Sequence, residues 1–177
     1  MTAIVDGSLG FTAPVGAVYN GLQTGTAQAS TSGTSITFTS IPSWVKRVTV
    51  LLRGVSDTTG SDFLLQVGSG SVTTSGYLGA VTRFNSATPS TSNLTSGYLI
   101  NGNSGTAAGA KYDAVIDILL VSGNNYLMRG VMGAETNLYT ANGCCQIPLS
   151  GVLDRVVLTT VSGTDTFTAG SINIIYE

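Results

Sequence analysis

The sequence predicts an all-β fold, a β-sandwich or jelly roll carrying a short irregular N-terminal arm. Three observations lead there. Apolar and polar residues alternate in short runs, the two-residue period of a half-buried strand rather than the 3.6-residue period of a helix. Gly, Ser, Thr, Asn and Pro separate those runs at regular short spacing, as in a sandwich. No helix candidate of convincing length, internal repeat or βαβ alternation interrupts the pattern.

The chain has 177 residues, enough for one domain whose core needs no disulfide or metal. Charged residues make up 9% and apolar residues 42%. That charge is far below the roughly one quarter of an ordinary soluble domain. With normal apolar content and little net charge, disorder is not expected. A surface this poor in charge self-associates unless much of it is buried against other subunits, so a symmetric oligomer is expected.

Residues 1–30 form the expected arm. Met1–Gln28 carries Gly7, Gly10, Gly16, Gly21 and Gly25 among isolated apolar residues that fit neither period. Ile4, Leu9, Phe11, Val18 and Tyr19 are the candidate anchoring residues, suited to lying on another surface. The alternative is a pair of short strands belonging to the main domain. Residues 31–177 form the expected sandwich.

Within it, Thr34–Ser40 alternates about Ile36 and Phe38, and Ile41-Pro42-Ser43-Trp44 turns because Pro42 cannot continue a ladder. Val45–Ser56 follows, with Val48, Val50 and Leu52 on one face and Arg47, Thr49, Leu51 and Arg53 on the other. After the loop Ser56–Ser61, Asp62–Gly68 is a strand around Phe63, Leu65 and Val67. Ser86–Gly109 reads as loop, interrupted by an apolar piece at Tyr98–Ile100. Asp113–Val121 is almost continuously apolar and is expected to be buried on both faces. Gly123-Asn124-Asn125 signals a hairpin to Tyr126–Met132. Glu135–Cys145 reads as loop, and Leu153–Val161 and Thr166–Tyr176 close the domain.

Much chemistry is missing. There is no histidine, which removes Ser-His-Asp and Cys-His arrangements and the usual zinc sites. A glycosidase pair needs carboxyls about 5–9.5 Å apart. Asp113 and Asp117 share a strand face but stand roughly 13 Å apart at 3.3 Å per residue. The Asp57/Asp62 loop lacks calcium-loop spacing. Gly68-Ser69-Gly70 has no lysine or helix after it to make a phosphate cradle. The adjacent Cys144 and Cys145 are expected as two unpaired small residues. Trp44 is expected to plug one end of the core. No enzyme activity and no cofactor or metal are expected.

With a net charge of −2 and only Lys46, Arg47 and Arg53 clustered, the chain lacks an electrostatic footprint for nucleic acid. Ala114–Val121, the longest strongly apolar run, contains Asp117 and falls short of the roughly 20 residues of a membrane span. The first basic residue is Lys46, so no secretory signal is expected.

Three segments carry a family resemblance: Ser35–Gly70 (SITFTSIPSWVKRVTVLLRGVSDTTGSDFLLQVGSG), Ser75–Gly79 (SGYLG) and Leu149–Glu177 (LSGVLDRVVLTTVSGTDTFTAGSINIIYE). Leu153-Asp154-Arg155 and Phe167…Gly170-Ser171-Ile172-Asn173 are the most telling phrases. They resemble a domain that recurs in tailed-phage virion proteins, often at the C-terminal end of tail fibres. The resemblance implies a compact β-sandwich that works as a homotrimer, binds a surface and supplies no catalytic residues. Its expected place is the virion, assembled in the bacterial host cytoplasm. Its expected partners are copies of itself, other virion proteins of the tail baseplate or capsid, and host surface glycan.

A fibre or tail-tip role makes Tyr98, Tyr139 and Asn142, on the two predicted loops, the candidate surface or glycan contacts. Tyr77, Tyr112 and Tyr126 are further aromatics on this reading. Only about thirty residues precede the resembling segments, where fibres usually carry a long shaft. That opens the alternative of a capsid decoration (cement) protein whose arm clamps neighbouring subunits. A polysaccharide-degrading tailspike is the third alternative.

Overall fold

The computed structural model describes residues 4–6, 10–12, 21–85, 88–102, 107–136 and 139–177. Its strands are β1 (Ile4–Asp6), β2 (Gly10–Thr12), β3 (Gln23–Thr24), β4 (Gln28–Ala29), β5 (Ser35–Thr39), β6 (Arg47–Asp57), β7 (Phe63–Ser69) and β8 (Ser71–Val72). There follow β9 (Leu78–Phe84), β10 (Ser90–Leu94), β11 (Tyr98–Leu99), β12 (Tyr112–Ser122), β13 (Asn125–Ala134), β14 (Thr140–Pro148), β15 (Arg155–Thr160) and β16 (Phe167–Tyr176). The protein is all-β, and two antiparallel sheets pack as a β-sandwich. The nine-stranded sheet runs β10-β9-β14-β13-β12-β6-β16-β3, with β4 also on β16. The five-stranded sheet runs β11-β7-β15-β5, with β8 on β7.

Alternation places the core. From the large sheet Val48, Val50, Leu52, Ile116, Ile118, Met128, Ile147 and Ile172 point inward; Phe38, Phe63, Leu65, Val67, Val156 and Leu158 meet them from the small sheet. Two glycines correct the register where strict alternation fails. Gly54, at φ 60°, lets β6 bulge, so that burial passes from Leu52 to Val55. Gly170, at φ 95°, lies against it from the neighbouring β16. A Cβ there would stand 2.5 Å from the Gly54 carbonyl carbon, closer than real contacts allow. The bulge explains how Phe167 shares a face with Ile172 and Ile174 despite the odd spacing.

The described part of the arm belongs partly to the sandwich. β3 and β4 pair with β16, Gly25 N–H donates to the Ile174 carbonyl at 2.8 Å, and Ser30 N–H donates to the Gly170 carbonyl at 3.0 Å. The boundary expected at residue 30 therefore falls beside edge strands of the large sheet. Farther out, β1 and β2 pair with each other, which puts Ile4 and Phe11 on a two-stranded ladder. Leu9, Val18 and Tyr19 lie outside the described residues.

Three expectations are corrected. Residues 86–109 and 135–145 were expected as loops, yet β10 and β11 occupy part of the first and β14 begins in the second. The strand β9 had no predicted counterpart. Finally, β12 buries only one face: Ala114, Ile116 and Ile118 are covered while Asp113 and Val115 face outward. Trp44 is half-buried against the core, its ring 6.0 Å from that of Tyr176.

Candidate docking face

The outer face of the nine-stranded sheet is open along Val115, Val131 and Leu78, and register builds it row by row. One row across the strands reads Asn173, Leu51, Val115, Val131, Asn142, Thr82, Thr91. The next reads Ile175, Thr49, Asp117, Arg129, Cys144, Ala80, Asn93. Val131 is 61% exposed, Val115 47% and Leu78 62%. An isolated exposed valine is ordinary, but neighbouring ones on a flat sheet form a patch.

A hollow of about 640 Å³ lies on this face, lined by Ala80, Val115, Asp117, Arg129, Asn142 and Cys144 among others. A second, of about 290 Å³, lies between Leu51, Asp113, Val115, Val131 and Gly133. Val115 and Val131 are shared walls of both. Opposite charges balance here: Arg129 donates to Asp117 Oδ2 from Nε and Nη2, each at 3.3 Å, and Thr49 Oγ1 donates to Oδ1 at 2.8 Å. Asp113 accepts the Gly54 N–H at 2.8 Å. These bonds tie both carboxylates to the sheet surface, Asp117 beside the larger hollow and Asp113 beside the smaller.

The structure separates the sequence-predicted contacts. Asn142 is exposed and lines the larger hollow. Tyr98 and Tyr139 are 2% and 4% exposed, so neither can stack on a surface ligand. Tyr77, Tyr112 and Tyr126 are buried as well. Each ring has a core position, and several hydroxyls replace missing backbone partners. Tyr77 accepts the Val67 N–H at 2.9 Å and donates to the Thr73 carbonyl at 3.0 Å. Tyr126 accepts the Leu153 N–H at 2.9 Å. Tyr98 crosses the sandwich to donate to the Gly130 carbonyl at 2.9 Å and the Gly143 carbonyl at 3.2 Å. Burial pushes its phenol well above the usual tyrosine range.

The residues missed by sequence reasoning are Val115, Val131, Leu78 and Cys144. Their signal was present in part, since outward alternation on β12 and β13 names both valines. The apolar run of β12 instead suggested a strand covered on both sides, and in a single chain one side is open.

Strand alternation also splits the cysteines: Cys144 is exposed on the outer face, Cys145 is buried in the core, and neither forms a disulfide. Burial pushes the Cys145 thiol up to about 12, with a smaller contribution from Cys144. Iodoacetamide at pH 8 is therefore expected to add one label to the native protein, at Cys144, and two after unfolding. Intact-mass measurement reads the difference, and two labels on the native protein would show that β14 opens readily.

Comparison of the chain with protein-family models, with curated proteins and with solved structures finds no match.

Proposed function

We propose that the protein is a non-enzymatic structural protein of a bacteriophage particle, a short tail-fibre or tail-tip module acting as a homotrimer at the host surface. The observation that carries the reading is the open outer face of the large sheet, apolar along Val115 and Val131 and balanced in charge at Asp117 and Arg129. Such a face suits contact with other protein subunits better than catalysis. The phage assignment itself rests on the resemblance of the Ser35–Gly70, Ser75–Gly79 and Leu149–Glu177 segments, which implied a sandwich.

One observation favours a second reading, the capsid decoration protein. With Tyr98 and Tyr139 buried, the aromatic platform expected for host glycan is gone. An open apolar sheet face then serves contact with neighbouring capsid subunits. Immunogold electron microscopy of intact particles tests both: gold at the tail end supports the first, gold over the head supports the second. Particles without gold would overturn the virion assignment.

Deletion of residues 1–20 tests the arm. The sandwich is expected to keep its melting temperature within a few degrees, because β3 and β4 remain on β16, while incorporation into particles is lost. Unfolding of the truncated chain would instead place the deleted residues in the structural core.

A further inference from the structure

We propose that Asp117 and Arg129 set the register in which the outer face of the large sheet meets a second copy of this chain. The inference rests on the homotrimer reading and names what that face touches. The pair stands between two apolar rows. Val115 and Val131 lie on one side of it. On the other, two residues along the strands, register aligns Leu119, Leu127, Gln146 and Leu78. Leu78 is exposed, and Leu119 and Leu127 are half-buried.

Charge selects the partner. One carboxylate and one guanidinium side by side leave this row neutral, so it favours neither an acidic nor a basic surface. It is complementary to a surface that presents the same two groups at the same spacing, and every copy of the chain does so. A three-fold contact is heterologous, with one patch meeting a different patch on the next copy. Adjacent opposite charges meet that requirement, each Arg129 facing the Asp117 of the next copy until the ring closes.

The pair has capacity for this. Arg129 reaches Asp117 with Nε and Nη2 only, each at 3.3 Å, and its side chain is 63% exposed. A guanidinium carries five N–H donors, so others remain for a second carboxylate. Asp117 is held in place by the Thr49 hydroxyl at 2.8 Å. The area suffices too. Strands β6, β12, β13, β14 and β9 span roughly 24 Å, and the nine residues of β14 run about 30 Å. That gives about 700 Å² per copy, within the range of roughly 600–1,000 Å² per partner in stable specific contacts. Burying an ion pair is unfavourable unless both charges keep partners. In register each charge meets its opposite; shifted by one row, each lies against valine or leucine. The pair therefore supplies specificity more than affinity.

The test uses the full chain and an exchange variant, Asp117→Arg/Arg129→Asp. The exchange restores the pair within one chain and the contact between two exchanged copies. Between an exchanged and a wild-type copy, like charges meet. Each protein is expected to assemble by itself. Tagged wild-type and untagged exchanged chains, co-expressed and captured by the tag, should show no mixed oligomers in native mass spectrometry. Mixed oligomers in statistical proportion would confine the pair to its own chain and overturn the inference. Arg129→Asp alone should raise the dissociation constant on the order of a hundredfold, with thermal unfolding checking the fold. It leaves the Thr49–Asp117 bond in place and decides the matter if the exchange variant does not fold. Assembly kept in Arg129→Asp but lost in Val131→Asp overturns this inference and leaves the trimer contact on this face standing. A wild-type chain that stays monomeric at high concentration overturns both and gives the face to another partner.

Discussion

Val131→Asp is expected to leave the protein an 18.0 kDa monomer with its fold intact, if the proposed homotrimer forms across this face. Val131 is 61% exposed on the outer face, so in the single chain the new carboxylate stays hydrated. Exposed substitutions of this kind change stability by about 0.5 kcal/mol or less. Across a subunit contact the same carboxylate would be stripped of water opposite Val115 or its counterpart. An unpaired buried charge costs several kcal/mol, on the order of a hundredfold or more in association. Light scattering after gel filtration reads the mass, and thermal unfolding checks the fold. Val131→Thr, which keeps the shape and hydrates little, should remain assembled. If Val131→Asp assembles as the wild type does, the contact between copies lies elsewhere and the open face serves another partner.

The strands legible in the sequence are those whose inner residues are large. β5, β6, β7, β12, β15 and β16 carry Ile, Val, Leu or Phe at inward positions, β13 carries Tyr126, Met128 and Met132 there, and the sequence pattern places each within a few residues of its ends. β14 escaped because its inward residues begin with Ala141 and Gly143. Tyr98 arrives from the opposite sheet and its hydroxyl bonds the Gly130 and Gly143 carbonyls. At Gly130 a Cβ would lie 2.8 Å from Ile116 Cγ1, and at Gly143 one would lie 2.7 Å from the Ala80 carbonyl. Local alternation cannot reveal a pattern that a distant side chain completes.

β9 was hidden for a related reason. Its inward positions are Gly79, Val81 and Arg83, a glycine and an arginine around one valine, which reads as a polar link. Gly79 is small because Cys144 and Cys145 approach within 2.5 Å of where its Cβ would stand. Arg83 packs its guanidinium over the Tyr139 ring, 4.0 Å from the centroid. The tyrosines misled for the opposite reason. In strands joined by polar residues they look like exposed aromatics, yet all five are buried, and the hydroxyls of Tyr77, Tyr98 and Tyr126 bond backbone groups inside the sandwich.

Phe63→Ala is expected to be the most destabilising single truncation in the core. Phe63 is fully buried on β7 and lies between Tyr112, edge-on at 5.6 Å, and Phe167, tilted at 5.9 Å. Those partners come from β12 and β16, so the ring ties the small sheet to two strands of the large one. Replacing a buried Phe by Ala costs about 3–5 kcal/mol, combining lost burial with an unfilled cavity. For a domain of this size each kcal/mol lowers the melting temperature by about 2–4 °C, so a fall of roughly 10 °C is expected. Phe63→Leu, which keeps most of the volume, should fall by less than half as much. The backbone N–H that holds Asn101 survives both changes, so the Asn101 bond alone cannot account for a large difference between them. Equal falls for Ala and Leu would mean that ring geometry outweighs filled volume at this end of the sandwich.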